Sequence, residues 1–171
     1  MDSIGFFHTR TMSVQSLKNT YYAKSGESLA FWSKVLKIAS VGVSLFGLDM
    51  ILFQDTLNKY LWNKLFFFNS NLHLSFSSDT QHFINLNYGV MGAFMVGWGL
   101  SLLQNTKTAF RTCDRRDWKA LAMSVGAWFV SDCLFSIKMG YWQNAVFNLP
   151  FGLLFAVPLI MTKKYFKNVN N

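Results

Sequence analysis

Asp49 and Asp132 each stand inside an apolar run, SVGVSLFGLDMILF (40–53) and SVGAWFVSDCLFS (124–136). A carboxylate at membrane depth costs about 3 kcal/mol even on lenient insertion scales, so such an acid normally has a partner and often a task. Asn85, Asn87 and Tyr88 occur early in a third apolar run, and Asn144 and Asn148 early in a fourth. Ser136 lies one helical turn after Asp132, with Lys138 just beyond. Acids grouped with amides can bind an ion, a proton, a small polar solute or a lipid headgroup. The same groups can simply bond helix to helix, at about 0.6–2 kcal/mol each. The first chemistry needs a shared cavity. The second needs only contact.

These residues require membrane helices to position them. The 171-residue chain is 51% hydrophobic and only 14% charged, too little charge for the surface of an ordinary soluble domain. Four stretches are long enough to cross a hydrocarbon core of about 30 Å: about 31–53, 84–104, 118–139 and 142–162. Pro150 and Pro158 fall in the fourth, where a packed membrane helix tolerates them. The expected fold is all-α, a polytopic four-transmembrane-helix bundle. Residues 1–28 read as a polar basic tail without the apolar h-region of a secretory signal. The 29–163 segment is the membrane domain, and 164–171 is a basic C-terminal tail. Within the long link, 54–69 (QDTLNKYLWNKLFFFN) reads as an amphipathic segment lying on the bilayer surface or docking a partner. Residues 105–117 (NTKTAFRTCDRRD) read as a charged loop, and Gly140–Tyr141 as a tight turn that makes the third and fourth helices a hairpin.

Charge orients the bundle. Of the 16 lysines and arginines, all but Lys59, Lys64 and Lys138 fall in the N-terminal region, the second-to-third connection or the C-terminus. A four-span topology gathers these three clusters on one side, which the positive-inside rule makes the inner face, with both termini there. Asp49 and Asp132 then lie roughly 18–22 Å from the inner edge, at 1.5 Å per residue. Asn85, Asn87, Tyr88, Asn144 and Asn148 come at matching depth on the returning helices. The expectation is an outer-half polar pocket made of Asp49, Asn85, Asn87, Tyr88, Asp132, Ser136, Lys138, Asn144 and Asn148.

Gly89, Ala93 and Gly97 recur every four residues, with Gly92 and Gly99 beside them. Small residues at this period allow close helix contact in lipid, within one chain or between copies. No strand or phosphate ligand accompanies these glycines, so they form no nucleotide loop. The histidines, His8, His73 and His82, are not central in any span, and no metal or cofactor site is expected from them. Cys113 and Cys133 lack CxxC spacing. No HExxH, GxSxG or SxxK motif occurs, so no catalytic residue is assigned. The basic residues flank apolar segments and form no nucleic-acid stripe; the expected partner is the lipid bilayer, with a membrane protein or a second copy as a further possibility. A short likeness between 40–53 and 124–135 hints at two parallel hairpin repeats.

YGVMGAFMVGWG (88–99) and WFVSDCLFSIKMGYWQNAVFN (128–148) resemble small four-helix integral membrane proteins that remain uncharacterised. The shared features are a Gly-rich GWG helix and a WFxxD segment followed by Gly140, Asn144 and Asn148 at four-residue spacing. The resemblance implies a four-helix architecture and groups Asp132, Asn144 and Asn148. It brings no activity. Three readings follow: first a non-enzymatic scaffold or accessory subunit, second a carrier or binding protein using the polar pocket, third a membrane enzyme using the acid pair. Both acids facing one cavity would favour binding. An acid facing outward, or closed off by hydrogen bonds, would favour scaffolding.

Overall fold

The computed structural model describes residues 14–68 and 75–167. Every element among them is helical apart from one isolated β-bridge. Helix α1 spans Val14–Leu52 and α2 spans Gln54–Leu57. A π-helical turn (Asn58–Trp62) leads into α3 (Asn63–Phe67). Then come α4 (Ser78–Thr112), α5 (Arg115–Lys138) and α6 (Trp142–Thr162), closed by a 3₁₀ turn at Lys163–Tyr165. Four helical stretches are long and apolar enough to cross a membrane: Gly26–Leu52, Ser78–Thr112, Arg115–Lys138 and Trp142–Tyr165.

Two boundaries depart from expectation. Residues 14–28, read as tail, are helical and continue directly into the first apolar run. The 105–117 segment is not a loop, because α4 runs to Thr112 and α5 starts at Arg115. Cys113 adopts the left-handed conformation (φ 51°), and its N–H reaches Ala109 O at 2.8 Å. Asp114 then caps α5 by accepting from Arg116 N at 2.8 Å. The C-terminal segment straps this junction: Arg115 N donates to Lys167 O at 2.9 Å and Lys167 N to Cys113 O at 3.1 Å. Phe166, buried beside it, meets Phe110 edge-on at 5.3 Å.

The four long helices form a closed ring, in which α1 and α5 each pack against both α4 and α6. The α1–α4 seam is the tightest. A methyl group at Gly92 would stand 2.5 Å from Gly47 O, and one at Gly99 would stand 2.8 Å from Ser40 O. Ser44 bridges the seam by donating to Val96 O at 3.3 Å. Such contact of small residues is how helices associate where no hydrophobic drive separates them from lipid. Gly92 and Gly99 thus do the packing expected of the glycine helix. Ala93 and Gly97 face outward instead, and a methyl at Gly97 would meet nothing within 4 Å. Elsewhere indoles join neighbours: Trp98 Nε1 donates to Ser124 Oγ (2.9 Å), and Trp118 Nε1 to Leu159 O (3.0 Å).

Large apolar side chains cover the outside of all four helices, including Phe94, Met123 and Ile160. The core is a modest cluster around Leu36, Leu102, Leu121 and Phe155. An apolar exterior around a small core accompanies four helices that are long and apolar enough to cross a membrane.

Candidate functional site: a carboxylate at the wall of an aromatic cavity

The α5–α6 hairpin builds the polar cluster. Asp132 and Ser136 are one turn apart on α5, as are Asn144 and Asn148 on α6, so each pair shares a helix face. The turn between them is a Schellman motif: Gly140 N bonds Ile137 O at 3.0 Å and Tyr141 N bonds Ser136 O at 2.8 Å. Gly140 has φ +84°, a conformation that glycine alone adopts without strain. This turn lays the start of α6 over the end of α5. Asn144 Nδ2 then reaches Asp132 Oδ1 at 3.0 Å and Ser136 Oγ at 2.8 Å. Asn148 Nδ2 reaches Asp132 Oδ2 at 2.8 Å, and Ser136 Oγ donates to Asp132 Oδ1 at 3.3 Å. Ser136 and Asn148 are buried, and Asp132 and Asn144 half-buried.

Asp132, Asn144 and Asn148 form part of the wall of a cavity of about 420 Å³ inside the ring. Its other walls are aromatic and apolar. Phe46 and Met50 come from α1, Tyr88 and Trp98 from α4, Trp128 from α5 and Phe147 from α6. The segment expected on the bilayer surface or against a partner packs, as far as it is described (54–68), over the bundle. Its Trp62 and Phe66 line the cavity. Trp62 stacks on Phe66 and Tyr88 at 5.6 and 6.0 Å and meets Phe147 edge-on at 6.0 Å. The π-helical turn sets this position: Asn63 donates its backbone N–H and its side-chain Nδ2 to the same Asn58 O. Apolar lining residues reach the outer surface at mid-helix, with Ile38, Met91, Phe151 and Leu154 all exposed. The cavity therefore opens sideways between helices.

Other expected members fall elsewhere. Asp49 is exposed and neither bonds the cluster nor lines the cavity. It lies one residue from buried Met50, a rotation of about 100° around the helix. Asn85 donates to Asp55 Oδ1 at 2.6 Å, tying α4 to α2. Asn87 is exposed and turns back onto Phe83 O at 2.7 Å. Lys138 is exposed and makes no ion pair with Asp132. Of the expected pocket, the structure brings together Asp132, Ser136, Asn144 and Asn148, with Tyr88 on the facing wall. It adds rings that were not singled out, Trp62, Trp98 and Trp128. Part of their signal was available in the sequence: Trp98 and Trp128 stand inside apolar spans, in the GWG and WFxxD segments, and Trp98 finds an N–H partner there in Ser124. The glycine seam was likewise foreshadowed by Ser40, Ser44 and Gly47, whose small side chains recur at helical spacing.

A second hollow of about 380 Å³ lies between α5 and α6, lined by residues such as Gly126, Phe129 and Gly152. Its one indole, Trp118, is already bonded to Leu159 O. No group of three or more His, Cys, Asp or Glu side chains among the described residues could hold a metal. Comparison with known proteins finds no matching family model, curated protein or solved structure. Function must be argued from the cavity itself.

Proposed function

We propose that this chain is a multi-pass membrane protein, inserted with both termini on the basic inner side, whose central cavity binds a small molecule. The observation that carries the reading is Asp132, a carboxylate at the wall of an aromatic cavity that opens sideways between the helices. A concave, mostly apolar site with a few convergent polar groups is the usual form of a small-molecule site. Packing alone would close such a space, since protein interiors leave few voids larger than a water. Asp49 faces outward and Asp132 is hydrogen-bonded, the outcome expected of a scaffold. The binding reading stands instead on the cavity of about 420 Å³ and on the one acid that lines it.

Gly42 provides the test. It lines the cavity, and a methyl added there would meet nothing within 4 Å. Gly42→Leu should therefore fill the mouth without disturbing the helices. Intact-complex mass spectrometry of the native-extracted chain should reveal a bound non-protein molecule that Gly42→Leu loses at unchanged thermal stability. Equal empty masses for both proteins, from several membrane sources, would sink the reading.

A second reading, a scaffold or accessory subunit, draws support from the α4 face carrying Ala93 and Gly97, which packing within the chain leaves unused. On that reading Gly97→Leu abolishes self-association or complex assembly in crosslinking, while leaving the monomer folded. An unchanged crosslinking pattern counts against it.

A further inference from the structure

Asp132 accepts three hydrogen bonds, and every donor is neutral: Asn144, Asn148 and Ser136. No basic side chain among the described residues pairs with it. A carboxylate offers about four acceptor sites. Oδ1 receives two donors and Oδ2 one, which leaves a lone pair open on Oδ2. The carboxylate is thus held in place without being neutralised, at the wall of a cavity whose other surfaces are mainly rings and aliphatic chains.

On the reading of this cavity as a binding site, we infer that its ligand is a lipophilic amine, with its protonated nitrogen on Asp132 Oδ2 and its apolar body among the rings. Three features converge on that chemistry. First, a neutral alcohol could fill the open lone pair but would leave the charge uncompensated in surroundings of low dielectric, where compensation matters most. An ammonium does both. Second, Trp62, Tyr88, Trp98 and Trp128 line the same space, and ring faces attract cations within about 6 Å. A bare metal ion would need several oxygen ligands, which rings do not supply. Third, the exposed lining residues Ile38, Met91, Phe151 and Leu154 are apolar, so access is from the hydrocarbon side, and the ligand must partition into lipid before it binds. The volume of about 420 Å³ lies within the range that holds compact drug-sized molecules.

An isosteric pair tests this. The full chain in phosphatidylcholine nanodiscs is titrated calorimetrically with 1-aminoadamantane and with 1-adamantanol, subtracting empty discs. The amine should bind saturably and about tenfold or more tightly than the alcohol. Asp132→Asn should remove that preference. Equal binding of amine and alcohol by the wild-type chain would overturn the charge recognition while leaving the cavity a binding site. Binding of neither would overturn that broader reading too. An amine preference that persists in Asp132→Asn would remove Asp132 from the role. The wild-type comparison needs no variant to fold, so the ligand class can be rejected whatever the substitution does to stability.

Discussion

Asn148 Nδ2 sits 2.8 Å from Asp132 Oδ2, joining two helices through residues sixteen positions apart in the chain. With Asn144 on the other oxygen, the carboxylate is gripped on both sides by one face of α6. Hydrogen bonds to a charged group contribute about 1.5–3 kcal/mol, and a buried donor left without its acceptor costs about 1–3 kcal/mol. Asp132→Ala takes the acceptor from buried Asn148 Nδ2, while Asn144 Nδ2 keeps Ser136 Oγ at 2.8 Å. The substitution should lower stability by about 2–4 kcal/mol, read as a drop in the unfolding midpoint in detergent. Asp49→Ala, at an exposed position, should fall within about 0.5 kcal/mol of wild type. Equal losses at the two acids would refute the asymmetry between them.

The α1–α4 seam makes a second contrast. Gly92→Ala pushes a methyl into Gly47 O, an atom that cannot swing aside, and should cost about 1–3 kcal/mol. Gly97→Ala meets open space and should be tolerated within about 0.5 kcal/mol. The same thermal measurement checks both. A tolerated Gly92→Ala would mean that the helices do not approach so closely.

Much of this could be read ahead, and the parts that could not share a cause. The apolar segments were legible because a span is a matter of length and composition. The Asp132, Ser136, Asn144 and Asn148 group was legible because both pairs have four-residue spacing and a glycine turn joins their helices. Asp49 misled because charge patterning sets depth along a helix axis but says nothing of rotation about it. The same ambiguity put Ala93 and Gly97 in the expected packing set alongside Gly92 and Gly99, of which only the latter two meet α1 closely. For 54–69, amphipathicity was visible, but whether the apolar face turns to lipid or to the bundle depends on the hollow beneath it. That hollow belongs to the tertiary structure.

Gly140→Ala is expected to weaken the hairpin. With φ at +84°, a Cβ there costs about 1–2 kcal/mol. Because the turn sets where Asn144 and Asn148 stand, the substitution should lower ligand binding as well as stability. A variant that loses stability but keeps full amine affinity would show that the polar cluster does not depend on its turn.

Trp62 Nε1 is buried with no hydrogen-bond partner, among Phe46, Phe66, Tyr88 and Phe147. Trp62→Phe removes an unpaired donor, a gain of about 1–3 kcal/mol that offsets the lost ring area. The expected result is a stability change of less than about 1 kcal/mol, whereas Trp62→Ala should lose about 3–5 kcal/mol. A large loss in Trp62→Phe would mean that the indole N–H has a partner after all.

Trp98 does have a partner, Ser124 Oγ at 2.9 Å. A double-mutant cycle of Trp98→Phe with Ser124→Ala should return a coupling of about 1 kcal/mol between α4 and α5. A cycle that closes at zero would remove this bond as a tie between the two helices.

Where Gly92 meets Gly47 O, the α1–α4 seam is backbone against backbone, with no rotamer at that point whose change could let the two helices shift. The facing α5–α6 hairpin has its own internal lock at Asp132 and is tethered at one end by the Cys113–Lys167 strap. At its other end Phe66 meets Tyr141 edge-on at 5.4 Å and Trp62 meets Phe147 at 6.0 Å, so the hairpin is pinned at its turn as well. The acid that would grip a ligand thus stands on a strut clamped at both ends, so a ligand would meet it already aimed.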